Sequence, residues 1–242
     1  MVQEALQRFA GGLVGRLVIG GVAVLTSIRY GTGLYFYRQT EQLERPSYTV
    51  IKKLSDGVEL RRYEPYLIAE KTVDGAGFRE PTAEGFRACA GYIFGKNKPR
   101  RGSDKGEKMA MTAPVRVSGS SPSFGEKMSM TAPVRVQGGT QKTKVSFVMG
   151  KNYTLTSLPR PQDSSVKLRQ VPAHTLAVRT FSGGPPKDER VRREREKIER
   201  ALERAGMKPN QPQTLVYGYH DPFITPKFLR RNEVALVIEG NV

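Results

Sequence analysis

The sequence predicts an α+β domain behind an apolar N-terminal segment, on three observations. Beyond Pro46, short stretches of alternating hydrophobicity recur, bounded by turn residues as strands are. Two longer stretches carry apolar residues at helical spacing. The strand-then-helix order also occurs twice: LRRYEPYLIAEKTVDG (60 to 75) aligns without gaps to LRQVPAHTLAVRTFSG (168 to 183) at an offset of 108, matching Leu60, Arg61, Ala69, Thr72 and Gly75. The body, residues 46–242, therefore reads as one domain of two pseudo-symmetric hairpin-plus-helix halves, preceded by a head of residues 1–45.

In the head, Leu17 to Ile28 is uncharged but 12 residues long, whereas a membrane span needs about 20. Extension back to Phe9 reaches 20 and takes in Arg16, which snorkels to the headgroups, while Tyr30, Tyr35, Phe36 and Tyr37 suit the opposite interface. A single membrane anchor meeting the bilayer over residues 9–37 is expected. An organelle presequence fits as well, since four Arg and no acidic residue lie between Ala5 and Thr40. A secretory signal is the third reading, without a small-x-small cleavage site directly after the apolar run.

In the body, YTVIKKL and VELRRY flank Ser55-Asp56-Gly57 as a hairpin, Asp-Gly supplying the positive φ angles of a tight turn. Tyr66 to Val73 is a third strand. From Arg79 to Phe94, Ala83, Phe86, Ala90 and Ile93 share one helical face, and Gly95 stops the helix. Strands follow at 144–149, 166–171, 175–181, 214–219 and 233–239. A second helix, Lys187 to Ala205, has a narrow stripe of Val191, Ile198, Leu202 and Ala205, with Gly206 beyond it. Glu189/Arg193 and Glu196/Arg200 support it, and its charges read as a solvated face. GEKMAMTAPVRV at 106–117 returns as GEKMSMTAPVRV at 125–136. Each copy is expected as a half-buried strand, the two paired antiparallel, with Pro114 and Pro133 at an edge or bulge. The methionine face reads as core, the alternative being the wall of an apolar ligand cleft.

Lys and Arg number 40 against 23 Asp plus Glu, a net charge of +17, which suits nucleic acid, an anionic membrane surface or an acidic ligand. The basic residues are spread over a loop, a helix and strand ends, with no zinc-finger, homeodomain or RNP-type motif, so nucleic acid is not an expected partner. The lone Cys89 excludes an intramolecular disulfide framework and a Cys-x-x-Cys pair, and with His174 and His220 alone a multi-His metal site is not expected. His220-Asp221 is the one pair suggestive of catalysis, but no nucleophile has a positioned base and no glycine loop cradles phosphate; an enzyme is not expected.

Five ordered stretches carry a resemblance: YTVIKKLSDGVELRRYEPYLIAE, FRACAGYIFGKN (86 to 97), the KMAMTAPV and KMSMTAPV boxes, SLPRPQDSSVKLRQVPAHTLAVRTFSG and DPFITPKFLRRNEVALVI. Residues 46 to 240 resemble the SOUL heme-binding protein family, and the doubled box is most similar to plant, algal and bacterial members. The resemblance implies a twisted antiparallel β-barrel flanked by two α-helices and a carrier or buffer that binds heme or another tetrapyrrole noncovalently. It also implies an apolar groove between the first helix and the loop before the last strand. Here those supply Phe86, Ala90, Ile93 and Phe94, and Phe223, Ile224, Pro226, Lys227 and Phe228. Such walls suit the macrocycle, and cations suit its propionates, the candidates being Lys227, Arg230 and Arg231; the two arginines are equally suited to salt bridges with the barrel.

Three positions depart from the family pattern. The histidine proposed as iron ligand in some animal members is Arg62 here, and basic residues proposed on the first helix are Ala83 and Gly91. Covalent attachment is excluded, since no Cys-x-x-Cys-His is present. His174 is the candidate axial nitrogen, in competition with a structural role, and weak or absent axial ligation is expected. The expected protein is a membrane-tethered tetrapyrrole binder, in a plastid membrane (thylakoid or envelope) ahead of a mitochondrial or bacterial inner membrane. The alternative is a subunit of a membrane protein complex that keeps the fold as a scaffold without heme.

Overall fold

Asp56 and Gly57 take φ angles of 58° and 67°, the left-handed values that Asp and Gly tolerate best. They join β1 (Tyr48–Lys53) to β2 (Val58–Tyr63) in antiparallel register, Tyr48 opposite Tyr63. The computed structural model describes residues 13–74, 80–100, 106–109, 112–120, 142–221 and 223–238. Ahead of the hairpin, α1 (Leu13–Glu41) is one continuous helix. Over Leu17–Glu41 it is long and apolar enough to cross a membrane, a length and composition that also suit a signal sequence.

After β2 come β3 (Tyr66–Asp74), α2 (Glu80–Ile93), β4 (Asn97–Lys98), β5 (Val115–Ser120), β6 (Lys142–Val148), β7 (Arg160–Pro161), β8 (Val166–Val171) and β9 (His174–Ser182). The chain closes with α3 (Asp188–Arg204), β10 (Pro209–Gly218) and β11 (Arg231–Ile238). Shifting β2 by 108 residues lands on β8, and shifting β3 lands on β9, each pair equal in length. Spatially the order is β1-β2-β9-β11-β10-β5-β6-β3-β8, all antiparallel. The repeat is therefore a two-fold about the β10–β5 pair, and each half lends its first strand to the other: β2 pairs β9, and β8 pairs β3.

That exchange dictates the curvature. β2 and β3 lie six strand positions apart but are joined only by Glu64-Pro65, and Pro172-Ala173 joins β8 to β9 in the same way. Six flat spacings would be about 29 Å, whereas a two-residue link spans about 11 Å. The sheet must curl into a half-barrel. Its outer face carries α2 over β3, β6 and β8, and α3 over β2, β9, β10 and β11. Val191, Ile198, Ala201 and Leu202 of α3 pack on Val58, Leu60, Val216, Val234 and Leu236, each buried Val, Leu or Ile contributing about 1.5–3 kcal/mol. Residues of opposite parity, among them Leu176, Val178, Leu215, Tyr217 and Ala235, fill the concave side.

Three sequence expectations change. The first box is not one strand: β5 starts at Val115, after Pro114, where the missing N–H costs no ladder bond. Both edges of β5 are occupied, Val117 standing opposite Val145 and Val216, so the second box has no edge there to pair with; residues 125–136 lie outside the described residues. On α3, Ala205 caps the helix and Ala201 completes the buried stripe, with Glu194 buried among the apolar residues. Glu194 is held by Arg179, Arg190 and Lys197, and the four-residue ion pairs that close are Arg190–Glu194, Arg192–Glu196 and Arg195–Glu199 instead of Glu189/Arg193 and Glu196/Arg200. The helix still ends as expected, with Gly206 at φ 70° and the Met207 amide donating to the Leu202 carbonyl.

One end of the concave face is charged. Glu233 Oε1 accepts from Arg61 at 2.8 Å, Arg231 at 2.6 Å and Thr180 at 3.0 Å, and Oε2 accepts from Tyr219 at 2.6 Å. Arg61 also grips Glu59 at 2.7 Å, so two cations meet two carboxylates. Burial would push the Glu233 carboxyl up, but the two guanidinium groups outweigh it and hold it below its ordinary 4.5. This contribution is full above that ordinary value and is lost as pH falls through the lower folded one. Glu233→Gln leaves Arg61 and Arg231 under-compensated and should cost about 3–5 kcal/mol, read as a lower urea midpoint, with a weakened acid dependence. Gly85→Ala should also destabilise, by about 1–2 kcal/mol in the same measurement, although alanine favours helix: a Cβ there would lie 2.5 Å from the Val145 side chain.

Candidate ligand-binding site

Phe86, Ala90 and Ile93 recur at helical spacing, so α2 presents them on one side, with Phe94 just past its end. Because residue 85 is glycine, the helix backbone lies directly on β6. The helix stops where Gly95 takes φ 111° and the Lys96 amide reaches the Gly91 carbonyl at 2.8 Å. Asn97 Nδ2 donates to the carbonyls of Tyr92 and Glu107, both at 2.7 Å, and the Met109 amide donates to Ile93, fastening the first box beside the helix end.

Phe86, Ala90, Ile93 and Phe94 line one cleft with Thr112 and Phe147, of about 20 Å³. The structure thus gathers the four helix residues of the expected groove and adds two that sequence reasoning missed. Phe147 meets Phe86 edge-on at 5.2 Å, and the Thr112 hydroxyl is spent on the Val148 carbonyl, leaving its methyl to the cleft. Thr112 belongs to the Met-Thr-Ala-Pro box, which the sequence marks as a repeated strand and as part of the resemblance but not as part of the groove beside α2. Phe86 is 42% exposed and Phe94 56%.

The loop before β11 does not line that cleft. It is built on Asp221, whose carboxylate accepts the amides of Phe223 at 2.7 Å and Ile224 at 2.8 Å, and it docks on α1. Arg29 donates to the Ile224 carbonyl at 2.6 Å and the Phe223 carbonyl at 2.9 Å. Pro226 lies against Gly33, where a Cβ would come within 2.6 Å of its ring. Arg230 is buried and donates to Thr225 O at 2.6 Å, while Arg231 is engaged by Glu233. Lys227 and Phe228 face solvent.

His174 stands at the β8–β9 junction on the concave face, stacked on Tyr63 at 5.4 Å and tilted against Tyr66. Its Nδ1 lies 2.8 Å from the Pro172 carbonyl and must be the protonated nitrogen. Burial lowers its pKa, favouring the neutral ring. It is thus separated from the α2 cleft by the sheet itself. Cys89 is on the sheet-facing side of α2, its thiol against the carbonyls of Ala69 and Val145 and pushed by burial up to about 12. Among the described residues no group of three or more His, Cys, Asp or Glu is placed to hold a metal ion.

A larger cleft, of about 250 Å³, opens where the α1–β1 linker crosses β3 and β6 and is lined by Glu44, Arg45, Glu64, Tyr66, Lys151 and Tyr153 among others. Three of its charges are engaged internally: Glu44 accepts the Lys151 amide at 2.8 Å, Lys151 Nζ donates to Ser47 at 2.9 Å, and Arg45 pairs with Glu41 at 2.8 Å. Such a lining suits water or a small polar solute better than a macrocycle.

A family model described as SOUL heme-binding protein matches residues 43–237. A hydrolase from Listeria innocua has a similar structure, with TM-score 0.52 at 10% identity, covering 84% of this chain and 98% of that one. An uncharacterized conserved protein from Listeria innocua gives TM-score 0.53 at 10% identity, covering 75% and 92%. At that identity the likeness is one of fold. No curated protein matches in sequence.

The same loop carries a titratable contact to α1. His220 stacks on Tyr37 at 5.1 Å, its Nδ1 accepts the Arg231 amide at 3.0 Å, and Nε2 lies 3.3 Å from Glu41. Burial lowers its pKa below the ordinary 6.5, against the opposing pull of Glu41. The released ring binds a proton first, so this contact is fully present above 6.5 and weakens as pH falls through the lower folded value. Between about pH 7.5 and about pH 5.5 the thermal midpoint should fall more in the native protein than in His220→Phe, which keeps the stack and has no proton to bind.

Proposed function

Since the chain belongs to the SOUL heme-binding protein family, we propose that its body binds a tetrapyrrole noncovalently on the α2 face, as a carrier or buffer and not as an enzyme, and that α1 tethers it to a membrane. The carrying observation is the pair of half-exposed rings, Phe86 and Phe94, flanking an uncharged cleft floored by Ala90 and Phe147. Ring-on-ring stacking contributes about 0.5–1.5 kcal/mol per pair beyond buried area. A cleft of about 20 Å³ is far below the roughly 300 Å³ that encloses a ligand, so the macrocycle lies across the face with its other side open.

The donors at hand fit the macrocycle better than its iron. Cys89 keeps its proton, Thr112 is committed to Val148, and His174 is on the other face of the sheet. What a bound heme would supply is its iron; what this chain supplies is the apolar face. The hydrolase name belongs to the Listeria protein, and a shared fold does not carry its chemistry over. Plastid membranes are the compartment we assign first, on the likeness of the doubled box to plant and algal members.

Titration of the full chain in mild detergent with hemin and with metal-free protoporphyrin should give saturable binding of both, with dissociation constants within about threefold of each other. Phe94→Asp should weaken both by about tenfold, or about 1.4 kcal/mol, with little change in thermal midpoint because the ring is more than half exposed. No saturable binding of either below about 50 µM overturns the proposal; hemin binding that exceeds protoporphyrin binding more than tenfold and is lost in His174→Ala overturns the assignment to the α2 face.

A further inference from the structure

Phe223 is 81% exposed and Phe228 67%, and Lys227 between them is also exposed. Each uncovered ring forgoes about 1.5–3 kcal/mol of burial, yet the loop presenting them is firmly built. Asp221 ties down two of its amides, Arg230 ties the Thr225 carbonyl, and Lys227–Leu229 is a single helical turn. The rings are therefore presented from a fixed backbone.

The loop's position along α1 says what they meet. C-terminal to Arg29 the helix leans on the body, through Gly33 on Pro226, Tyr37 on His220 and Glu41 beside the same imidazole. From Leu17 to Ile28 it is bare: Leu17, Ile19, Val22, Leu25 and Ile28 are all exposed, and no charge interrupts the stretch. The change from bare apolar helix to helix packed on protein falls at Arg29, and Arg29 is the side chain that grips the Phe223 and Ile224 carbonyls. Tyr30, Tyr35 and Phe36 are exposed on the helix just past this level. Aromatic rings with a neighbouring cation at the end of an apolar helix are the composition of a membrane–water interface.

We propose that the Phe223–Phe228 loop is a second membrane contact, its two phenylalanines entering the interfacial layer of the bilayer that α1 crosses and Lys227 meeting anionic headgroups. The proposal rests on α1 being a membrane anchor and is independent of tetrapyrrole binding. The occupant is lipid because the exposed rings continue the exposed surface of α1 at its boundary, and because Lys227 suits an anionic surface. With helix and loop both seated, the body is held in one orientation on the membrane.

The chain has no tryptophan, so single substitutions report position directly. Full-length Phe223→Trp, Phe228→Trp, Val22→Trp and Leu155→Trp, each in vesicles of phosphatidylcholine with about one third phosphatidylglycerol, are compared for emission maximum and for quenching by lipids spin-labelled at shallow and deep positions. Phe223→Trp and Phe228→Trp should be quenched by shallow labels at least about threefold more than Leu155→Trp, and Val22→Trp by deep labels. Circular dichroism confirms that each variant keeps the fold. If Val22→Trp is quenched but the loop reporters match Leu155→Trp, the loop contact is wrong and the anchor stands. If Val22→Trp is also unquenched, the anchor falls and the loop contact with it. A blue-shifted loop emission without lipid quenching assigns the loop to contact with a second copy of this chain and overturns the lipid assignment.

Discussion

Two links of two residues, Glu64-Pro65 and Pro172-Ala173, govern the shape of this molecule. Each connects strands that stand six positions apart in the sheet order, so the sheet can satisfy its hydrogen bonds only by curling. From the curl follow an inner and an outer face of unequal character. The outer face is wide enough for two amphipathic helices, one per half. The inner face carries His174 stacked on Tyr63 and tilted against Tyr66 at the junctions, and farther along it gathers Glu233 with Arg61, Arg231, Thr180 and Tyr219. A buried carboxylate is tolerated there because its oxygens meet donors from three strands and from the chain just past β10.

The two-fold arrangement explains why the halves can diverge in use. α3 carries a fully buried stripe and an ion-paired outer surface, which is what a structural helix needs. α2 occupies the equivalent place but leaves Phe86 and Phe94 half outside, and its cleft has no charge to repel an apolar disk. The pseudo-symmetric comparison singles out the α2 side. The axial-ligand position of the resemblance is arginine, and His174 sits across the sheet from this cleft, whose lining is aromatic and aliphatic apart from Thr112. The loop that the resemblance grouped with α2 is engaged with α1 through Arg29 and Pro226, which keeps it apart from the α2 cleft.

Much of this was legible in residue order. The strands, the Asp56-Gly57 turn, the glycine stops at Gly95 and Gly206 and the offset of 108 are all local signals, written in side-chain period and in backbone preferences within a few residues. Phe86, Ala90 and Ile93 of the cleft were legible for the same reason, since helical spacing places them together, and Phe94 came from the resemblance. Thr112 and Phe147 were not, because each reaches the cleft through pairing with a distant strand or segment. Glu194 was misread as solvated because a charged residue in a charged helix gives no local sign that Arg179, on a strand, will cover it.

The sequence by itself determined the elements, their two-fold repetition, the family and the apolar stretch at the N-terminus, because those depend on chemistry within one turn or one hairpin. Only the tertiary structure decided which half each lent strand would join, that β5 would have no free edge, and that the Phe223–Phe228 loop would meet α1 instead of α2. Those outcomes turn on pairings across tens to hundreds of residues. Their free energy comes from desolvation and hydrogen-bond closure in three dimensions, and no local pattern of residues encodes which of several compatible edges or surfaces will be the one filled.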